Sequence, residues 1–284
     1  MSHYLSGPPL WAGFLRTLPA LLLGALLVGC QSPREALQQL ADEHGRQLEI
    51  LPGQPFPLAM LPPQSTTKAT RLRVYLEGDG HAWATATQPS LDPSPHNLLV
   101  AQLAVDDPTP NAYLARPCQF VLAPDCEPAL WTNRRFSQEV VTSLSQALDQ
   151  LKQRYGNREF ELVGYSGGAA LALLLATQRE DVAQLQTLAG NLSPRLWAEM
   201  KGLSPLSGSL DPLNYRDQLA AIPQRHLVGE GDNIVPARLA KDYLSWLHPD
   251  ACSQLTEALA ADHTHGWENA WKEWRSKPLT CEED

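Results

Sequence analysis

The chain has 284 residues, enough for one large α/β domain or two small ones around a sizeable core, which excludes a small stapled scaffold. Hydrophobic residues at 43% and charged residues at 19% exclude a disordered chain. A formal net charge of −9 without a local basic cluster argues against nucleic acid as a partner, and five cysteines, an odd number, require one with a separate fate.

In chain order, the first element is an apolar run from Thr17 to Val28, preceded by Arg16 and closed by Gly29 and Cys30. It is shorter than the roughly 20 residues a spanning helix needs, and residues 1–29 are laid out as a signal peptide. Leu27-Val28-Gly29-Cys30 resembles the bacterial lipobox. The resemblance implies lipidation of Cys30 as the mature N-terminus, so that the protein is anchored to a membrane and does not span it. Gln31 after the cysteine, where Asp would favour the inner membrane, points by the same resemblance to the outer membrane facing the periplasm. In that oxidising compartment four thiols remain, and sequence proximity favours Cys118 with Cys126, leaving Cys252 with Cys281.

Residues 30–46 read as a tether with a short helix that opens on Pro33 and carries Leu37 and Leu40. The remainder, 47–284, reads as one domain. Two short strands are expected at 48–51 and 56–61, around Pro-Gly-Gln-Pro. From Arg71 strands alternate with helices, which predicts an α/β fold with a mostly parallel central sheet and helices on both faces. Strands are expected at 71–77, 160–163, 184–188, 225–229 and 253–259. Helices are expected at 136–155, with Gly156 as the terminating glycine, and at 169–176, 236–247 and 266–274. The segment 190–222 is rich in turn residues and long enough for a short flap, not for a large cap domain.

Gly164-Tyr165-Ser166-Gly167-Gly168 lies between an expected strand and an expected helix. The G-x-S-x-G pattern is weak alone, but at a strand-to-helix elbow small neighbours let helix and strand approach, and the Ser166 hydroxyl meets the N–H groups of a helix start. A serine nucleophile needs a base, and the base needs an acid to orient it. Asp232, in the loop after 225–229, is the favoured acid, with Glu230 as the alternative. Of two histidines in Asp262-His263-Thr264-His265-Gly266-Trp267, His265 is favoured as base because Gly266 lets the chain turn directly after it; His263 is the alternative, and a His-x-His metal site a third reading. The oxyanion donors fall on the N–H groups of Gly167 and Asp79. The Asp79 carboxylate is expected to turn away from the site, capping a helix or pairing with Arg134 or Arg135, since a negative charge facing an oxyanion opposes acyl transfer.

Over roughly Leu48 to Trp274 the chain resembles the α/β-hydrolase superfamily. More narrowly, Glu77-Gly78-Asp79-Gly80 with Trp83, the Ser166 elbow, Ala189-Gly190-Asn191-Leu192 and His265-Gly266-Trp267 look like its bacterial lipoprotein members. The resemblance implies the fold and the order serine, acid, histidine. The expected function is a membrane-anchored periplasmic serine hydrolase acting on small-molecule carboxylic esters through Ser166, His265 and Asp232, with no metal or organic cofactor. An amidase or peptidase of the same fold, and a non-catalytic envelope lipoprotein that uses the fold for binding, are the alternatives. Oligomeric state is open.

Overall fold

The computed structural model describes residues 1–4, 31–64 and 69–279. The expected leader run, the lipidation site Cys30 and the expected partner of Cys252, Cys281, lie outside the described residues. The chain divides into two units, Met1–Ser32 and Pro33–Asp284, and all the elements below belong to the second.

Among the described residues eight strands form one sheet: β1 (Glu49–Leu51), β2 (Leu58–Leu61), β3 (Arg71–Leu76), β4 (Asn111–Leu114), β5 (Glu159–Tyr165), β6 (Val182–Leu188), β7 (Gln224–Gly229) and β8 (Ser253–Ala258). Their spatial order is β1-β2-β4-β3-β5-β6-β7-β8, with β1 and β2 antiparallel and β4 to β8 parallel. The sheet is open and mostly parallel, as expected, and its crossovers leave the carboxyl ends of β3, β5, β7 and β8 at one edge.

The helices are α1 (Pro33–Glu43), α2 (Leu99–Val105), α3 (Gln138–Tyr155), α4 (Gly167–Thr177), α5 (Pro194–Met200), α6 (Arg216–Ala220), α7 (Ala237–Trp246) and α8 (Trp267–Trp274). Alternation along the strands produces two cores. Leu72, Val74 and Leu76 of β3 pack with α3, α4 and α7, while Tyr75 and Val163 face α1, α2 and α8 on the other side. The stripe of α3 (Val140, Val141, Leu144, Leu148 and Leu151) is buried, and Gly156 ends the helix with φ 69°, which a side chain with a Cβ resists. α4 is buried nearly all round, as a helix pressed on a sheet should be.

Two elements depart from the sequence expectation, and the cause is physical. α2 and β4 were not anticipated: Leu-Val-Ala-Gln-Leu-Ala-Val and Asn-Ala-Tyr-Leu are short and buried on nearly every side, so neither shows a period. α1 packs on the domain, with Leu37, Leu40 and Ala41 buried in the α2 and α8 core. The segment 190–222 carries α5 and α6, and Trp197 Nε1 and Lys201 Nζ donate to the carbonyls of Ile234 (2.9 Å) and Asn233 (2.8 Å), which ties it to the loop after β7. The expected disulfide joins Cys118 to Cys126, with Cα atoms 5.8 Å apart.

Candidate active site

Ser166 sits between β5 and α4 with φ 50° and ψ −121°, a conformation that side chains with a Cβ rarely adopt. Close approach explains the glycines around it. A Cβ on Gly164 would fall 2.5 Å from the Ala169 Cα, and one on Gly168 would fall 2.4 Å from the Leu76 carbonyl oxygen. The elbow is locked from outside by the Ser166 N–H to the Leu188 carbonyl (3.0 Å) and by the Asn191 N–H to the Ser166 carbonyl (2.9 Å).

The histidine facing Ser166 is His263, not His265. Its Nε2 lies 3.1 Å from Ser166 Oγ and its Nδ1 lies 2.9 Å from Asp232 Oδ2. His265 is turned outward, with its side chain 80% exposed and its Nδ1 3.0 Å from Asp262 Oδ2. The cause is a turn built on Asp262. Its Oδ1 accepts the N–H groups of Thr264 (2.7 Å) and His265 (2.8 Å), bonds that hold its carboxyl down at about 2. The turn breaks the extended alternation on which a shared His-x-His face depends. The His263 carbonyl is pinned by Tyr165 Oη (2.6 Å) and Trp267 Nε1 (3.1 Å), which directs the ring toward the elbow. Gly266 does turn the chain, with φ 84°, but at the entry to α8. Among the described residues no group of three or more His, Cys, Asp or Glu side chains is placed to hold a metal ion.

Asp232 serves two ends at once. Oδ1 accepts the N–H groups of Ile234 and Val235, both at 2.8 Å, and Oδ2 faces His263. Its side chain is fully buried, whereas Glu230 is exposed. One carboxylate oxygen of Asp232 therefore holds its own loop while the other orients His263.

The Asp79 carboxylate does not turn away from the site. It lies against the start of α4, so that a Cβ on Gly167 would meet its Oδ1, and it borders the cavity. Two guanidinium groups compensate it: Arg116 binds Oδ1 and Arg135 Nη1 binds Oδ2 at 2.7 Å. Burial raises its proton affinity, but Arg135 and Arg116 outweigh that and hold the carboxyl below its ordinary value. Arg134, the other expected partner, instead engages Glu127 and Glu139. Arg116 was missed altogether, since nothing in a lone arginine after β4 announces a partner 37 residues earlier. The N–H groups of Asp79 and Gly167 have no acceptor among the described residues. Beneath them, burial pushes the Glu77 carboxyl up to about 7, against the opposing pull of Tyr113 Oη (2.8 Å) and the Gly78 N–H (2.8 Å), which both donate to it.

Ser166 and His263 open into a cavity of about 470 Å³, whose walls include Trp83, Trp197 and Ile234 with Arg135 and Asn191. A hydroxyl aligned on an imidazole that is itself aligned on a buried carboxylate can deliver an alkoxide-like nucleophile to a carbonyl in this cavity.

Fold comparisons agree with this architecture. A structure of an alpha-beta serine hydrolase homologue from Coxiella burnetii matches with a TM-score of 0.55 at 15% identity, covering 80% of this chain and 94% of that one. An esterase from Pyrococcus furiosus matches with a TM-score of 0.57 at 13% identity, covering 83% and 90%. An acylaminoacyl peptidase from Pyrococcus horikoshii matches with a TM-score of 0.58 at 13% identity over 84% of this chain and 43% of that one. At such identities the likeness is one of fold. No curated protein sequence matches. The profile of the family described as Serine hydrolase (FSH1) matches residues 103–265, more than half of the chain, including Ser166, Asp232 and His263. The chain belongs to that serine hydrolase family.

Proposed function

We propose that the protein hydrolyses carboxylic esters through Ser166, His263 and Asp232. The observation that carries this is the continuous chain from Ser166 Oγ to His263 Nε2 (3.1 Å) and from His263 Nδ1 to Asp232 Oδ2 (2.9 Å). Ser166 Oγ bonds to the ester carbonyl carbon as its proton passes to His263 Nε2. The charge on the carbonyl oxygen is met by the N–H groups of Gly167 and Asp79. His263 returns the proton to the departing alkoxide, leaving an acyl-serine. A water then gives one proton to His263, its oxygen bonds to the acyl carbon, and the proton returns to Ser166 as the acid leaves. Asp232 keeps Nδ1 protonated and stabilises the transient imidazolium. Esters are favoured over amides because an alkoxide leaves more readily than an amine.

The lipobox-like Leu27-Val28-Gly29-Cys30 supports attachment by lipid to the outer membrane, where a net negative chain gains nothing from anionic headgroups. A fluorophosphonate probe is expected to label wild type and not Ser166→Ala, and 4-nitrophenyl esters to be turned over by the first alone. Absence of labelling in folded protein, with a known serine hydrolase labelled in parallel, would instead favour a binding protein on a hydrolase scaffold. Loss of acyl-chain incorporation in Cys30→Ser tests the anchor.

A further inference from the structure

Five arginines are buried among the described residues: Arg46, Arg73, Arg116, Arg135 and Arg225. Four of them engage both Nη nitrogens. Arg46 donates to Asn111 and Ala104, Arg73 to Asp107, Glu161 and Arg275, Arg116 to Asp79 and the Arg135 carbonyl, and Arg225 to backbone carbonyls near the chain end. Arg135 engages Nη1 alone, on Asp79, and it is Nη2 without an acceptor among the described residues that sets it apart; its Nε is buried without one, as are those of Arg46 and Arg73. Arg135 is only 5% exposed, and what it borders is the cavity beside Ser166.

Its guanidinium carbon lies 5.7 Å from the centre of the Phe136 ring and 5.6 Å from that of Trp197, contacts that restrain it beside the cavity. A rigid, desolvated guanidinium with spare donors suits a carboxylate, which accepts two parallel N–H bonds. The nearby acids are already committed: Asp79 is shared with Arg116, and Glu77 takes Tyr113 and the Gly78 N–H. Asn191 borders the same cavity, is 3% exposed and leaves its side-chain oxygen buried without a partner. Its side-chain Nδ2 has no acceptor among the described residues and is the end of the amide left to donate to the same ligand. Trp83 and Ile234 on the cavity wall suit an apolar spacer.

We propose that the cavity contains an anion subsite made by Arg135 with Asn191, and that the preferred ester carries a carboxylate on its acyl or alcohol part. The subsite rests on the ester-hydrolase reading only for the reaction, not for the binding.

Matched substrates test it: 4-nitrophenyl hydrogen adipate against 4-nitrophenyl hexanoate for the acyl side, and 4-carboxyphenyl acetate against its methyl ester for the alcohol side. In at least one pair kcat/KM for the charged member should exceed that of the neutral one by about tenfold or more, and the excess should shrink with added salt. Asn191→Asp, which sets a negative charge beside the subsite and leaves the Asp79 pair intact, should reduce the excess, as should Arg135→Lys, which keeps the charge and loses the fork. Equal or better turnover of the neutral member in both pairs, or variants that slow both members alike, would overturn the subsite. Calorimetric titration of Ser166→Ala with monomethyl adipate and methyl hexanoate reads the subsite without chemistry. Binding of the first alone, with no turnover by wild type, would sink the hydrolase reading and keep the subsite; binding of neither would sink the subsite.

Discussion

Two groups of buried charge lie at opposite edges of the sheet. At the amino ends of the parallel strands Arg73 meets Asp107 (2.6 Å) and Glu161 (3.0 Å), Tyr75 Oη donates to Asp107 (2.6 Å), and Gln186 links Glu161 to Arg225. Arg73 and Arg225 also take the carbonyls of Arg275 and Pro278, so the segment after α8 is clamped on the sheet. Two cations face two carboxylates there, and none of the four lines the cavity beside Ser166. At the carboxyl ends two cations, Arg116 and Arg135, share the carboxylate of Asp79 beside an open cavity. A buried charge group with matched signs and every Nη engaged has only a structural task. One left with a spare donor facing a cavity is placed to receive something, because burial without a partner costs free energy that a ligand or water must recover.

The sharpest way to separate the two edges is to damage each and measure both activity and stability. His263→Ala should lower kcat/KM by about 10³-fold or more at a smaller cost in stability than damage at the other edge, since the ring is partly exposed and Asp232, though it loses its partner on Oδ2, keeps the N–H groups of Ile234 and Val235 on Oδ1. Asp107→Ala should do the reverse. Removing one partner of a buried pair costs about 3–5 kcal/mol in denaturant unfolding, while the fraction still folded should label with fluorophosphonate as wild type does.

Glu77 tests the carboxyl-end edge by pH. Its carboxyl is raised in the folded chain to about 7 from an ordinary 4.5, so the folded state holds a proton that the unfolded state releases. Its contribution is complete below pH 4.5 and is lost as pH rises through 7, at about 1.4 kcal/mol per pH unit at most. Glu77→Gln should flatten this fall in urea titrations at pH 5, 6 and 7; an unchanged slope would remove Glu77 as its source. The smallest effect is expected from His265→Ala. Its ring is exposed and bonded only within its own turn, so kcat/KM should stay within about twofold of wild type. A collapse of activity in that variant would reverse the assignment of the two histidines.

Much of this architecture is legible in the residues. The elbow can be read because its constraints are local: Gly164 and Gly168 are demanded by contacts within a few residues or with the adjoining strand, and the apolar run of α4 marks a helix against a sheet. The helix 138–155 has a period of its own and a glycine to end it. β4 and α2 escape because they are buried on nearly all sides, which erases any period. The pairing of Arg116 with Asp79 escapes because it spans 37 residues and the crossover from β3 to β4.

The histidine loop shows where local reasoning stops. His263 and His265 share a loop and a residue type, and glycine after the second made it the natural choice. What decides between them is an Asp262 turn together with Tyr165 from β5 and Trp267 from α8, which grip one carbonyl from two sides.

The sequence by itself determined the class of fold and pointed to Ser166, Asp232, Gly167 and Asp79 as neighbours at one site, because each depends on the backbone over a few residues and on the order of strands. Only the tertiary structure decided which histidine completes the set, and how a carboxylate can sit beside the oxyanion donors. Both are questions of side-chain direction and of charge compensation across distant segments, and neither leaves a trace in the spacing of residues along one strand or loop.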